Sequence, residues 1–306
     1  MTLSPINEGV LEERLAALEG ARPWPPAAIA GLADFICAAG EEQLFRINPL
    51  AYAEEHGLAE RDAIDLFLHA ARQGLFELRW HVLCVSCGSV VSSFRELASL
   101  HPHVVCVVCT TENQASLDDY IQVSFTIAAD IRAIRFHHPD ELSIEERYLL
   151  YHLDRGLLPL SDGRHMRDVM LAAARIRGYL DPGERREFVV EAAPGLLHAS
   201  NALGTSGFAF AVHPQPAAAP QRVHIRIVDG VFQVVDRPAA PFRLDKGGYI
   251  AVIDQFGELQ AGSVAFALEN AGPRRASVWM IQVDQHFPTE LASFRPFLTG
   301  KRLLTT

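Results

Sequence analysis

Four of the five cysteines fall in two Cys-x-x-Cys pairs, which constrain the fold more than any other feature of the chain. The pairs are Cys84 with Cys87 and Cys106 with Cys109. Each pair can place two thiolates on one side of a metal ion, and two such pairs complete a tetrahedral shell of soft ligands. Since that shell leaves no open position, the spacing predicts a structural zinc ion bound by all four cysteines.

Other interpretations of this segment stay open. A disulfide would suit a secreted protein, but the N-terminal residues lack a basic stretch followed by an apolar run. A redox dithiol would be expected at the start of a helix in a βαβ unit, and the surrounding pattern does not indicate one. The flanking His81, His101 and His103 could replace a cysteine as ligand, although four thiolates already saturate the site.

The fifth cysteine, Cys37, lies in a segment whose apolar residues recur at helical spacing. It follows Ile36 directly and Ala33 by four positions, which predicts a place in the helix core. A nucleophilic cysteine would need a neighbouring base and a positive field, and the sequence supplies neither. We therefore expect Cys37 to be a packing residue.

Length and charge narrow the class of protein. A chain of 306 residues predicts two or three domains, and no stretch approaches the roughly twenty apolar residues that cross a bilayer. The formal net charge is −10, and Arg95 is the only Lys or Arg between Trp80 and Thr111. Because nucleic-acid binding depends on clustered basic residues, we expect no nucleic-acid and no membrane partner, and a cytoplasmic location.

The residues before the first cysteine pair indicate a helical unit. Asn48 and Pro49 form a cap and first turn, and Gly57 can end that helix in the left-handed conformation. A second amphipathic helix follows, and residues 76–82 then alternate as a half-buried strand. This order predicts a winged-helix-like unit, whose second helix would make a poor DNA reader because it begins with acidic residues such as Glu60.

A helical stretch follows the cysteine segment. Ser143 and Glu146 are spaced as a capping box. Around it lie four histidines, His137, His138, His152 and His165. Their spacing does not match a known ligand pattern, so we interpret them as ordinary partly buried histidines. An enzyme built on this histidine cluster stays a third hypothesis for function.

From Glu187 onward short alternating segments predict strands, and Asp229 with Gly230 predicts a hairpin turn. The predicted class is α+β, with an inserted zinc ribbon and a C-terminal antiparallel β-sandwich. We expect N-terminal helices over 1–40, the winged-helix-like unit over 41–135 with the ribbon at 84–109, a helical connector over 136–185, the β-sandwich over 186–286, and an exit segment or linker over 287–306.

Several motifs follow one another in a recognisable order along the chain. They are residues 44–53, residues 63–80, the two cysteine pairs and residues 123–125, followed at the far end by 262–270, 278–280 and 289–298. This ordered set resembles the uncharacterised region found N-terminal to bacterial class III adenylate/guanylate cyclase domains, over about residues 41–298. In such proteins the closing segment leads into the catalytic domain, and this chain stops at Thr306, where that domain would be expected to start.

The resemblance implies a regulatory or sensory module that is not itself an enzyme. It would act on a class III cyclase catalytic domain in cis or in trans, would form a homodimer as those domains do, and would offer the β-sandwich to an unknown small ligand or protein. No phosphate loop, nucleophile elbow or dinucleotide fingerprint occurs in the sequence. The alternative is a stand-alone zinc-ribbon adaptor or transcription-associated binding protein. It is supported by the position of the predicted ribbon beside a winged-helix-like pair of helices.

Overall fold

The computed structural model describes residues 4–100, 103–106, 108–114, 120–201, 206–246 and 249–305. The fold is α+β, as predicted. Three clusters of buried apolar residues organise it: one in the N-terminal part, one inside the large C-terminal sheet, and one between them around the paired cysteines. No helix in the described ranges has the length and apolar character needed to cross a membrane.

Four helices and a small sheet form the N-terminal part. They are α1 (Glu8–Ala21), α2 (Pro26–Ala38), α3 (Pro49–His56), α4 (Glu60–Arg72), β1 (Phe76–Leu83), β2 (Val90–Phe94) and β5 (Ile121–Ile127). The sheet is antiparallel in the order β2-β1-β5. The predicted ends of α3 are confirmed, since the Asn48 side chain accepts from Leu50 N and Gly57 has φ +66°. Helix α4 packs on the sheet through Phe67, whose ring centroid is 5.3 Å from that of Phe125.

The first cysteine pair lies in the turn between β1 and β2, and the second pair lies in an insertion between β2 and β5. This insertion carries a short antiparallel pair, β3 (His103–Val105) and β4 (Glu112–Gln114). A connector follows with α5 (Ile144–Arg147), a π-helical turn (Tyr148–His152) and α6 (Met166–Ala173). The capping box predicted at the start of α5 is confirmed, because Ser143 and Glu146 each accept from the other's backbone N–H.

The C-terminal part is one nine-stranded sheet. Its strands are β6 (Ala174–Leu180), β7 (Arg185–Ala192), β8 (Gly195–Ser200), β9 (Gly207–Pro216), β10 (Gln221–Val228), β11 (Val231–Val234), β12 (Ala240–Lys246), β13 (Tyr249–Asn270) and β14 (Ala276–Val283). The hairpin predicted at Asp229 and Gly230 joins β10 to β11. The sheet already begins at Ala174, within the predicted connector, because Ile176 and Leu180 turn inward as strand residues.

The predicted sandwich was antiparallel throughout, and this is wrong because two of its strand pairings are parallel. Strand β13 is 22 residues long; its first half pairs with β12 and, in parallel, with β9, and its second half pairs with β7 and, in parallel, with β10. The strand continues through Gly257 and Gly262, and Gly262 has φ +123°. The two halves of the sheet pack face to face, with Phe208 of β9 5.0 Å from Phe232 of β11 between ring centroids.

The predicted exit segment, 287–306, packs back onto the N-terminal part. Leu298 is fully buried in the first core, and its carbonyl accepts from Val123 N at 2.8 Å. Asn48 Nδ2 donates to Pro296 O at 2.8 Å, and the chain ends in the short helix α7 (Gly300–Thr305). Movement of this segment is therefore tied to the N-terminal core and to β5.

Candidate metal centre

The first cysteine pair lies on a tight turn, residues 84–89, which we call the first knuckle. Gly88 N donates to Cys84 O at 3.0 Å, and Cys84 N donates to Ser89 O at 2.7 Å. Gly88 has φ +71°, and a Cβ placed there would lie 2.2 Å from Leu157 Cδ2. Both the backbone conformation and the close approach of the connector therefore require glycine at this position.

The second cysteine pair repeats the turn in residues 106 and 108–111, the second knuckle. Thr110 N donates to Cys106 O at 2.7 Å, and Cys106 N donates to Thr111 O at 2.8 Å. Thr110 takes the position of Gly88 and has φ +62°, a conformation that costs a β-branched residue about 1–2 kcal/mol. The matching turns place the two sulfurs of each pair on the side that faces the other pair.

The four sulfur atoms converge within 4.8 Å of one another. Cys84 Sγ is 3.5 Å from Cys109 Sγ, and Cys87 Sγ is 3.7 Å from Cys106 Sγ. A tetrahedral zinc site with bonds of about 2.3 Å has sulfur–sulfur edges of about 3.8 Å, whereas a disulfide bond is about 2.05 Å long. The geometry fits four ligands on one ion, and all five cysteines of the chain are free thiols.

Hydrogen bonds and burial shift the pKa values of thiols in this centre. Ser89 Oγ lies 3.0 Å from Cys87 Sγ, and Thr111 Oγ1 lies 3.2 Å from Cys109 Sγ, so each hydroxyl can donate to a thiolate two residues before it. Hydrogen bonds from the other three thiols, Cys106 first, hold the pKa of Cys109 well below its usual range, while burial raises the pKa of Cys106. Four thiols in so small a space can share negative charge only when a cation neutralises it.

The cysteines are part of the third buried cluster. Cys84 and Cys106 are buried, while Cys87 and Cys109 are partly exposed. The cluster joins them to the connector and to β14 through apolar side chains, and at its centre the Tyr148 ring stacks on Trp279 at 4.1 Å between centroids. The centre thus lies between the two larger parts of the fold.

Backbone hydrogen bonds tie the knuckles to three other segments. Asp154 N of the connector donates to Gly88 O at 3.2 Å, and Ala292 N of the C-terminal segment donates to Ser86 O at 3.0 Å. Val252 N of β13 donates to Thr110 O at 2.8 Å. A metal ion that fixes the knuckles therefore also fixes the connector, the C-terminal segment and the large sheet relative to one another.

The prediction that Cys37 belongs to the core is wrong. Cys37 is exposed on α2, whereas Ile36 is fully buried. Successive helix residues point about 100° apart, so a residue next to a buried one can face solvent. Cys37 takes no part in the metal centre.

The flanking histidines do not join the sulfur cluster. His81 is buried in β1, where its ring nitrogens lie 2.7 Å from Ser93 Oγ and from Ser124 Oγ. His103 is exposed and lies 3.8 Å from Glu112. His101 lies outside the described residues. The convergent ligand atoms found in the described ranges are the four sulfurs.

The four connector histidines differ in their contacts and in their exposure to solvent. His137 accepts from Ile134 N and bonds Ile127 O at 2.8 Å, so it holds a turn. His138 and His165 are exposed, and His152 packs beside Tyr148 with centroids 5.4 Å apart. Within the described part of the chain they do not form a group of three convergent ligands. This gives the enzyme hypothesis based on these histidines no geometric support.

Burial of His81 predicts a pH-dependent stability. Burial, followed by the charges of Arg46 and Arg79, lowers the pKa of His81 well below 6.5, so the folded protein keeps this imidazole neutral. The unfolded chain takes up a proton near pH 6.5, and the free energy of unfolding should therefore fall as the pH drops below that value. Between pH 7.5 and 5.5 we expect His81 to account for a loss of about 1.4 kcal/mol.

Urea unfolding of the protein at a series of pH values measures this effect. His81→Asn should flatten the pH dependence by that amount, whereas His138→Asn, at an exposed position, should leave it unchanged. An unaltered slope in His81→Asn would contradict the assignment. The metal content is measured at each pH, so that release of a bound metal is not mistaken for protonation of His81.

One buried side chain beside the cysteines was missed by the sequence analysis. His198 of β8 is 4% exposed, and burial lowers its pKa to about 4. Residues 197–200 are all buried, so the strand lacks the alternation that would have marked His198 as an inward-facing polar residue. Only the fold brings it next to the second knuckle.

Comparison with known proteins gives a family and no closer relative. No curated protein and no solved structure matches the chain. One family, described as "Family of unknown function (DUF5939)", matches residues 13–229, which include both knuckles, the connector and the sheet as far as the β10–β11 turn. Since this match covers more than half of the 306 residues, the chain belongs to the DUF5939 family of unknown function.

Proposed function

We propose that this chain is a non-catalytic regulatory or sensory module of a class III adenylate/guanylate cyclase-like protein, organised around structural zinc. The observation that carries the proposal is the position of the four-cysteine centre, where the connector, the large sheet and the C-terminal segment all bond to the knuckles. A rigid centre at such a junction can transmit a conformational change in one of these three segments to the other two. The motif order set out in the sequence analysis supplies the cyclase context.

Zinc is the metal we assign to the centre. Four thiolates in a tetrahedral arrangement select zinc or iron among common biological metals, and two knuckles of this kind are typical of closed structural zinc sites. A closed shell offers no position for substrate, which fits a non-catalytic role. A cytoplasmic location, where thiols stay reduced, suits the same ligand set.

We interpret the N-terminal part as a winged-helix-like unit and the knuckles with β3 and β4 as a zinc ribbon inserted in it. Helix α4 begins with Glu60, Arg61 and Asp62, and Glu60 pairs with Arg302 of the C-terminal helix. An acidic helix start that is paired within the chain is a poor surface for phosphates. This favours a scaffold for protein contacts over the alternative of a transcription-associated DNA binder.

The output of the module would run through its C-terminal segment. That segment bonds the first knuckle at Ala292, the connector at Gly156 through Arg295 N, and β5 through Leu298 O. A catalytic domain placed after Thr306, or recruited in trans, would be positioned by these contacts. Since class III catalytic domains assemble as dimers, we propose that the module sets the spacing or orientation of two such domains.

Cyclic nucleotide formation tests the proposal. The chain is compared alone, and fused through Thr306 to a class III cyclase catalytic domain, in the presence of ATP or GTP and Mg²⁺ or Mn²⁺. We expect no turnover by the chain alone and a rate in the fusion that differs severalfold from that of the catalytic domain by itself. The same fusion with Cys84→Ser should lose that difference and retain the basal rate.

Two results would sink the proposal: robust turnover by the isolated chain, or a fusion whose rate equals that of the free catalytic domain. A fusion with Cys37→Ser is the matched control, because Cys37 is a free thiol on the surface. It should behave as the parent fusion does. Binding of the isolated chain to duplex DNA with a steep salt dependence would instead favour the adaptor alternative.

A further inference from the structure

A polar pocket of about 180 Å³ lies where the N-terminal part, the connector and the C-terminal segment meet, and we call it the arginine pocket. Arg46 and Asn48 come from the N-terminal part, Arg155 comes from the connector, and Arg295 comes from the C-terminal segment. Sites for drug-sized ligands in proteins have volumes of about 300–1,000 Å³. The arginine pocket is smaller, so it suits a small ion or molecule.

The lining of the arginine pocket is positively charged, although the whole chain has a formal net charge of −10. Its titratable groups are three arginines and two carboxyl groups with a pKa near 4, those of Asp154 and Glu55, so the formal charge of the lining is +1. Asp154 is 6% exposed, and burial raises the pKa of its carboxyl group, which favours the neutral form. The protein itself therefore balances the arginine charges only in part.

Arg46 is held in the wall of the pocket by the connector. Its Nη1 donates to Leu150 O at 3.2 Å, and its Nη2 donates to Tyr151 O at 3.4 Å. Burial lowers the pKa of Arg46 to about 10, so the side chain is still a cation at neutral pH. Its backbone has φ +51°, a left-handed conformation that is uncommon outside glycine and is concentrated at functional sites. A buried cation whose bonds within the described residues go to neutral carbonyl groups favours an anion beside it.

Arg155 and Arg295 keep hydrogen-bond donors available. Arg155 Nη1 donates to Glu42 O and, at 2.8 Å, to Phe45 O, and no bond in the described ranges uses its Nε or Nη2. Arg295 is exposed, and its guanidinium group makes no hydrogen bond to the part of the chain that the structure describes. Across the same residues, none of the three arginines has a carboxylate oxygen within 4.0 Å. A guanidinium group with free donors binds a carboxylate or a phosphate through paired N–H···O bonds.

We infer that the arginine pocket binds a small oxyanion, a carboxylate or a phosphate, through Arg155 and Arg295, with Arg46 supplying a further positive charge. As a signal this anion rests on the proposed regulatory function, but its binding does not. Arg295 N already donates to Gly156 O at 2.7 Å, so the anion would add a side-chain link where the connector and the C-terminal segment are bonded. Release of the anion would remove that link from the segment that we propose as the output.

Isothermal titration calorimetry of the full chain tests the inference. The probes are inorganic phosphate and malonate, and malonamide is the neutral compound of nearly the same shape as malonate. We expect saturable binding of at least one anion with a Kd below about 1 mM, and no binding of malonamide. Binding of phosphate alone or of malonate alone assigns the class of oxyanion. The ionic strength is held constant with sodium chloride, so that screening is the same in every titration.

Two variants locate the bound anion in the pocket. Arg295→Gln removes one guanidinium group at an exposed position and keeps the backbone bond to Gly156, so it should weaken binding about tenfold or more. Ala51→Trp places an indole at a lining position of α3 and should weaken binding by a similar factor. Arg274→Gln is the matched control, because Arg274 is exposed in the turn between β13 and β14 and does not line the pocket. It should bind the anion as the parent does, and circular dichroism confirms that each variant is folded.

The inference is overturned if neither anion shows saturable binding, if malonamide binds as tightly as malonate, or if Arg295→Gln and Ala51→Trp both bind the anion like the parent. Equal losses in Arg295→Gln and Arg274→Gln would also contradict it, because they would indicate a general effect of charge. Since the titration involves no catalytic domain, its failure leaves the cyclase proposal standing. Conversely, a fusion with unregulated activity would leave a pocket that binds the anion, so the two failures are distinguishable.

Discussion

Cys84→Ser is expected to release the metal and to unfold the knuckles. Structural zinc in a four-ligand site contributes on the order of 10 kcal/mol, which is comparable to the whole stability of a typical domain. Cys84 is fully buried, and its backbone anchors the first knuckle. With the ion lost, the bonds from Gly88 O to the connector and from Ser86 O to the C-terminal segment lose their fixed partners.

The number of zinc ions per chain, measured by elemental mass spectrometry, should fall from one to near zero in Cys84→Ser. The melting temperature should fall by more than about 10 °C, given the size of the metal contribution. Cys37→Ser makes the same chemical change on the surface of α2 and should alter neither quantity. A Cys84→Ser protein that melted like its parent would show that the centre does not hold a structural ion.

The local signals in the sequence were strong enough to place several elements. Cysteine spacing predicted the four-sulfur centre, because a Cys-x-x-Cys turn is a short-range structure set by its own backbone bonds. The Asn48 cap, the Gly57 end of α3 and the Ser143 capping box were predicted for the same reason. Each depends on contacts within a few residues, which the order of the sequence displays directly.

Features that depend on distant contacts could not be predicted in this way. The parallel pairings of β13 with β9 and β10 follow from how the sheet closes, and glycine at 262 signals a turn as readily as a bend within a strand. The burial of Leu298 in the first core joins residues more than a hundred positions apart. His198 likewise lies next to the second knuckle only once β8 has met that turn in the folded chain.

If the chain is the regulatory module that we propose, the position of the third cluster between the two larger cores would let it be both stable and responsive. Each of the two larger parts has its own core, so each can keep its structure while their contact changes. The third cluster is smaller and contains the four cysteines of the candidate metal centre. A ligand or partner that alters this contact would change the relation between two intact bodies.

Trp279→Ala tests how much of the stability of this contact depends on packing. Trp279 is 1% exposed in β14, and its ring stacks on Tyr148 of the connector with planes 5° apart. Removing a buried indole of this kind costs about 3–5 kcal/mol through lost contacts and the cavity left behind. Urea unfolding should show that loss, while zinc per chain stays at one because no ligand is changed.

Trp279→Phe tests how much of this loss is restored when an aromatic ring is kept at the same position. Trp279 Nε1 has no hydrogen-bond partner within the described residues, so phenylalanine removes no bond and keeps an aromatic ring against Tyr148. We expect it to cost less than about 2 kcal/mol, since a smaller cavity is left. Equal losses in the two variants would contradict this expectation, because they would show that an aromatic ring kept against Tyr148 does not by itself stabilise the contact. Loss of zinc in Trp279→Ala would show instead that the metal centre cannot form without this packing, and that the two are one cooperative unit.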